Sequence, residues 1–142
     1  MTFEEKSTWI VATVTLLVYG WYFAKILGDA ATTPVSEIDY QTLLLVMVGV
    51  LVVLLIVSHV VIAAVTAGGA GGIEGSDERD QKIDRSGEYV GGYVVGAGML
   101  VVMVLAMVEA EYFWIANAAL GILVLGELVT SGTKIILYRR GF

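Results

Sequence analysis

Four long apolar segments dominate this 142-residue chain and limit the folds that it can adopt. They run over approximately Thr8–Leu27, Gln41–Val65, Tyr89–Val108 and Tyr112–Tyr138. Each reaches the length of about 20 residues that an α-helix needs to cross the hydrocarbon core of a bilayer. Because lipid offers the backbone no hydrogen-bond partners, such segments must be helical. The sequence therefore predicts an all-α membrane protein, a four-transmembrane-helix bundle that forms a single domain over 1–142.

The composition leaves no segment for a separate soluble domain. The chain is 58% hydrophobic with a mean hydropathy of +0.85, and its longest polar stretch lies between the second and third apolar segments. In that stretch a flexible glycine-rich run, Gly68–Gly72, precedes a charged segment that begins at Ser76, a residue suited to cap a helix. We expect the third helix to run over 76–108, with its first turns projecting from the membrane into the cytoplasm.

Basic residues divide unequally between the two ends of the predicted bundle. Lys25 lies at the end that carries the first and third connections. The opposite end carries Lys6, Arg79, Lys82, Arg85, Arg139 and Arg140. The positive-inside rule then predicts cytoplasmic N- and C-termini in a multi-pass membrane protein. A net charge of −6 without a dense basic patch argues against direct nucleic-acid binding.

Glu127 lies near the middle of the fourth apolar segment. An ionisable group at that depth costs at least about 2.5 kcal/mol on insertion scales, so it normally faces a partner or a cavity. Helical spacing places Ser131, Lys134 and Tyr138 on the same side of the helix as Glu127. These side chains form a polar stripe from mid-membrane to the cytoplasmic surface, which we predict to be an intramembrane polar site.

His59, near the cytoplasmic end of the second apolar segment, has three alternative roles. It can be a hydrogen-bonded interior histidine, a titrating partner of Glu127 or a metal ligand. As the single histidine of a chain without cysteine, it lacks further ligands for a metal. No catalytic motif accompanies these residues, so we expect no metal, no cofactor and no enzymatic activity. Asn117 lies off the Glu127 face and is expected to form a separate hydrogen bond between helices.

The third apolar segment carries glycines on two nearly opposite faces. Gly87, Gly91 and Gly98 share one face, and Gly92 and Gly96 share the other. Small residues four apart let helix backbones approach closely in lipid. Both faces could pack within the chain, or one could pack across a subunit interface. We expect self-association, as a dimer, through one glycine face.

The charged segment before this helix has two interpretations. It is either a solvated, salt-bridged helix end or a docking surface for a soluble cytoplasmic regulator. The docking interpretation assigns the partner contact to Asp77, Glu78, Arg79, Asp80, Lys82, Asp84 and Arg85.

The second half of the chain resembles a family of small four-helix bacterial integral membrane proteins of unknown function. The matching residues of the charged segment and third helix are Asp77, Glu78, Arg79, Asp80, Ile83, Asp84, Gly91 and Tyr93. In the fourth helix the match covers Phe113–Asn117, Glu127 and Leu137–Gly141. Members are often encoded beside small helix-turn-helix regulators, and the resemblance therefore implies a membrane partner of such a regulator.

Two functional classes follow from these features. The first is a regulatory or scaffold protein that binds a soluble protein through its cytoplasmic loop and third-helix extension, and we favour it. The second is a small proton-coupled transporter or channel that uses the carboxylate of Glu127. The charged segment supports the first class, and the energetic cost of placing Glu127 in the membrane supports the second.

Overall fold

The structure, a computed structural model, describes residues 3–67 and 78–140, which form four long α-helices. Their bounds are α1 Phe3–Thr32, α2 Tyr40–Ala67, α3 Glu78–Met107 and α4 Tyr112–Arg140. A short 3-10 turn, Val35–Glu37, follows Pro34 in the connection between α1 and α2. All four helices are long and apolar enough to cross a membrane. This confirms the predicted all-α class and its four spanning helices.

The helices extend further than the apolar segments. α1 begins before Thr8 and ends after Leu27, and α2 and α4 also continue past their predicted ends. The reason is that apolar length marks the part of a helix that lies in hydrocarbon, whereas polar turns beyond it remain helical. α3 begins with charged residues, as predicted. The glycine-rich run, Ser76 and Asp77 lie outside the described residues.

The helices pack antiparallel in the order α2, α1, α4, α3. α3 and α4 form the closest pair, and α1 packs against both α2 and α4. Within the described ranges α2 and α3 are not closely packed, so the bundle is open between them. We call the end that carries Lys6, Arg79, Lys82, Arg85, Arg139 and Arg140 the basic end, and the end that carries the α1–α2 and α3–α4 connections the acidic end.

The apolar core lies in the half of the bundle nearer the acidic end. It consists of buried side chains from α1 and α4, covered by the first half of α2. The buried members are Tyr19, Tyr22, Ile26, Phe113 and Leu120, and the covering residues of α2 include Leu43, Leu44, Met47 and Leu51. Within this core the Tyr22 hydroxyl donates to Asn117 Oδ1 at 2.7 Å. The expected interhelical bond of Asn117 is therefore confirmed, and it fixes α1 against α4.

Candidate functional site

One glycine face of α3 forms the contact with α4. A Cβ atom added at Gly98 would lie 2.5 Å from Ile122 Cγ2, and one at Gly91 would lie 2.8 Å from the Gly126 carbonyl oxygen. At Gly87 it would lie 2.5 Å from Cγ of Lys134. Only glycine permits this separation of the two backbones, which explains why α3 and α4 are the closest pair.

The other glycine face of α3 is open. Among the described residues, a Cβ atom at Gly92 or Gly96 would meet nothing within 4 Å, and both glycines are exposed. Exposed apolar side chains continue this face toward the acidic end, among them Met99 and Met103. The chain therefore uses one of its two glycine faces internally and leaves the other free in the monomer.

The first turns of α3 are fixed to the last turns of α4. Asp84 and Lys134 form an ion pair across the two helices, and the Tyr138 hydroxyl is hydrogen-bonded to Asp80. The Ile83 side chain is fully buried, and Asp80 is 7% exposed. Helical spacing explains the arrangement, because these α3 residues continue the glycine face that meets α4.

Some of the residues that were predicted to dock a partner contact α4, and others do not. Asp80 and Asp84 face α4, and Arg79 donates a long hydrogen bond of 3.5 Å to the Tyr138 carbonyl. These three residues therefore hold α3 in place, and docking of a partner on this segment stays a prediction. Asp77 lies outside the described residues.

The remaining charged residues of the segment point away from α4. Glu78, Gln81, Lys82 and Arg85 line a shallow pocket of about 280 Å³, and all four are exposed. We call these four residues the outward face of α3. It presents charges of both signs on a helix whose opposite side is anchored.

We expect the stem of Lys134 to stabilise this anchor more than its charge does. The Asp84 side chain is 55% exposed, and exposed ion pairs contribute only about 0–1 kcal/mol. Lys134→Met keeps the stem over Gly87 and should cost less than about 1 kcal/mol, as should Asp84→Asn. Lys134→Ala also removes the stem and should cost about 1–2 kcal/mol. Thermal unfolding in detergent measures the difference; equal losses for Met and Ala would assign the effect to the charge.

Glu127 bonds to one member of the predicted polar stripe and lies on an exposed side of α4. The Ser131 hydroxyl donates to Glu127 Oε1 at 3.3 Å, and Ser131 is 2% exposed. The Glu127 side chain itself is exposed in the monomer, not enclosed by the bundle. Lys134 lies further along the same stripe but pairs with Asp84. Ser131 is therefore hydrogen-bonded to Glu127, whereas Lys134 forms its ion pair with α3.

The path of α2 explains why Glu127 is exposed. Phe113 and Leu120 precede Glu127 at heptad spacing on the same side of α4, and both are buried in the core that α2 covers. Toward the basic end α2 instead contacts α1, where His59 Nε2 is 2.8 Å from the Ser7 hydroxyl. α2 therefore covers this side of α4 at Phe113 and Leu120 but not at Glu127.

His59 is a hydrogen-bonded interior histidine, the first of its three alternatives. Besides Ser7, its Nδ1 lies 2.7 Å from the Leu55 carbonyl oxygen. Both ring nitrogens are thus engaged at the α1–α2 interface and not with Glu127. Ser7 was missed because it precedes the first apolar segment, although the helix continues through it.

Two further features of α1 bear on the site. The guanidinium of Arg139 lies over the Trp9 ring, 5.3 Å from its centroid. Thr15 is 2% exposed, and its hydroxyl has no hydrogen-bond partner among the described residues. The spacing of residues within α1 does not indicate which of its hydroxyl groups is buried.

The described residues contain no cluster of three or more histidine, aspartate, glutamate or cysteine side chains that could hold a metal ion. Comparisons with protein-family models, with curated proteins and with solved structures found no match.

Proposed function

We propose that this protein is a small membrane scaffold or regulatory protein that binds a soluble cytoplasmic protein through the outward face of α3. One observation carries this proposal: the first turns of α3 are anchored on one side and expose charged groups on the other. The anchor consists of Asp80, Ile83 and Asp84 against α4. A helix face that is already ordered loses little conformational entropy when a partner binds, which favours affinity.

The proposal places the basic end in the cytoplasm of a bacterial cell, with the protein in the inner membrane. The distribution of basic residues supports this orientation, because lysine and arginine concentrate on the cytoplasmic side of membrane proteins. The resemblance of the charged segment to small four-helix membrane proteins, whose genes often neighbour helix-turn-helix regulators, supports a regulator as the partner. The exposed charges then face the compartment that contains soluble regulators.

The packing near the acidic end favours a scaffold over a transporter. Between Glu127 and that end, Tyr19, Tyr22, Phe113 and Leu120 fill the interface of α1 and α4. A carrier needs its site to be reached from both sides of the membrane in turn. In the described residues, polar side chains lead from Glu127 toward the basic end, through Ser131 and Lys134. In the opposite half the buried polar groups of Tyr22 and Asn117 bond to each other within the packed core.

We also propose that the scaffold acts as a dimer in which Gly92 and Gly96 of two copies meet. The open space over both glycines and the exposed apolar face beside them support this assembly. In a lipid bilayer, close approach of two helix backbones at small residues provides the van der Waals contact that drives association. Because Arg85 precedes Gly92 by seven residues on the same side of α3, the dimer would bring the two outward faces toward each other at the basic end.

Exchanging two charges on α3 tests the docking proposal. Lys82→Glu with Glu88→Lys keeps the net charge and the number of basic residues, so the topogenic signal is preserved. Like charges across an interface cost several kcal/mol, so recovery of a soluble partner by affinity purification in mild detergent should fall at least about tenfold.

The matched control is the exchange Lys25→Asp with Asp29→Lys, which reverses an exposed ion pair at the acidic end. This variant should recover the partner as the wild type does. If the α3 exchange leaves recovery unchanged, or if both exchanges reduce it equally, the outward face is not the docking surface.

A further inference from the structure

Glu127 has no role in the proposed scaffold function. It nevertheless lies near the middle of the span, where a charged side chain costs the most free energy. In α4, Glu127 is roughly 22 Å along the helix axis from Tyr112 at 1.5 Å per residue, near the middle of the span. Its side chain is exposed in the monomer. A charged carboxylate facing hydrocarbon costs at least about 2.5 kcal/mol, and a cation or a bound proton reduces this cost.

The charged groups around Glu127 are engaged elsewhere or lie nearer the basic end. Lys134 is about 10 Å further along α4 and pairs with Asp84 of α3. His59 of α2 bonds to Ser7 of α1. Glu88 of α3 is exposed and lies one helical turn before Gly92, whereas the pairing of Gly91 with Gly126 places Gly92 at the depth of Glu127. Among the described residues, no cation neutralises Glu127.

Two buried hydroxyl groups lie at the depth of this carboxyl group. Ser131 donates a hydrogen bond of 3.3 Å to it. Thr15 is 2% exposed, and its hydroxyl has no hydrogen-bond partner within residues 3–67 and 78–140. The contacts of Tyr22 with Asn117 and of Trp9 with Arg139 set the antiparallel register of α1 and α4. This register places Thr15 opposite the turn 128–131. A buried hydroxyl without a partner is costly, so it supplies a further donor or acceptor for this site.

We infer that Glu127, with Ser131 and Thr15, forms an intramembrane proton-binding site. Protons reach it from the basic end, because Ser131, Lys134 and Asp84 provide polar groups in that direction. The core around Tyr22 and Phe113 fills the other direction. This site goes beyond the scaffold function and needs no soluble partner.

Modification by a carbodiimide tests the inference, since this reagent adds to protonated carboxyl groups. The full-length protein in lipid vesicles is treated with the apolar reagent dicyclohexylcarbodiimide in buffers from acidic to alkaline, and the adduct is located by peptide mass spectrometry. We expect near-complete modification of Glu127 in acidic buffer and a decline to background in alkaline buffer. Glu127→Gln should abolish this adduct and should remove one protonated-carboxyl band from the infrared spectrum.

Glu88→Gln is the matched control, because Glu88 is an exposed carboxyl group nearer the basic end of α3. This variant should retain the Glu127 adduct and its pH dependence. The inference is overturned if Glu127 is not modified at any pH, if its modification does not change with pH, or if the infrared band persists in Glu127→Gln. None of these outcomes depends on a soluble partner, so they are distinguishable from failure of the scaffold proposal.

Discussion

Gly91→Ala should destabilise the protein by about 2–3 kcal/mol, the upper range for overpacking a closely packed contact. The added methyl group would overlap the Thr130 hydroxyl and would lie 2.8 Å from the Gly126 carbonyl oxygen. A flexible side chain could move aside, but the backbone of α4 cannot shift without disturbing its other contacts with α3. The substitution should therefore separate the two helices that anchor the outward face.

Gly92→Ala is the matched control for this prediction. The neighbouring glycine has nothing within 4 Å of its added methyl group, so the same chemical change should leave stability unchanged or slightly higher. Thermal unfolding in detergent should show a midpoint lowered by roughly 5 °C or more for Gly91→Ala alone. Equal midpoints for the two variants would show that α3 does not pack on α4 through the Gly91 face.

Gly92→Leu combined with Gly96→Leu should convert a dimer into a monomer. Two leucine side chains at the contact would hold the helix backbones apart and remove the close packing that stabilises glycine-mediated association. Because both positions are open in the monomer, its fold should remain intact. Native mass spectrometry measures the oligomeric state, and the unfolding midpoint checks the fold of the same sample.

Ala97→Leu controls for the added volume and hydrophobicity. Ala97 is exposed on α3 and lies well over 90° around the helix from Gly92 at 100° per residue. It should leave the dimer unchanged. A wild-type protein that is monomeric, or a double variant that remains dimeric, contradicts assembly through Gly92 and Gly96.

The four helices could be predicted from the lengths of the apolar segments. A run of some 20 apolar residues has one stable arrangement in a bilayer, and this requirement located all four helices. The glycine spacing of α3 also identified two faces suited to close packing. It did not identify which face meets α4, because that choice depends on Asp80, Ile83 and Asp84 matching groups on the facing helix.

The environment of Glu127 could not be predicted from the sequence. Periodicity places Glu127 on the same side of α4 as Phe113 and Leu120, which are buried. Its exposure arises because α2 covers that side near the acidic end and contacts α1 near the basic end. Helix tilt is set by contacts between distant residues, such as His59 and Ser7, that the spacing within one helix does not reveal.

We propose that the outward face of α3 binds a soluble cytoplasmic protein. Photo-crosslinking in intact cells tests it most directly, with a photoreactive amino acid at Gln81, which lines the shallow pocket. A second site at Met99, exposed on the apolar part of α3, serves as the control. Both sites are compared in the wild-type and Lys82→Glu/Glu88→Lys backgrounds.

We expect one soluble cytoplasmic protein to be crosslinked at Gln81, to be absent at Met99 and to be lost in the charge-exchanged background. That result would also establish that the basic end faces the cytoplasm. Crosslinks at Gln81 to lipid or membrane proteins alone, or a soluble adduct that persists after the charge exchange, would contradict the docking of a cytoplasmic partner on this face.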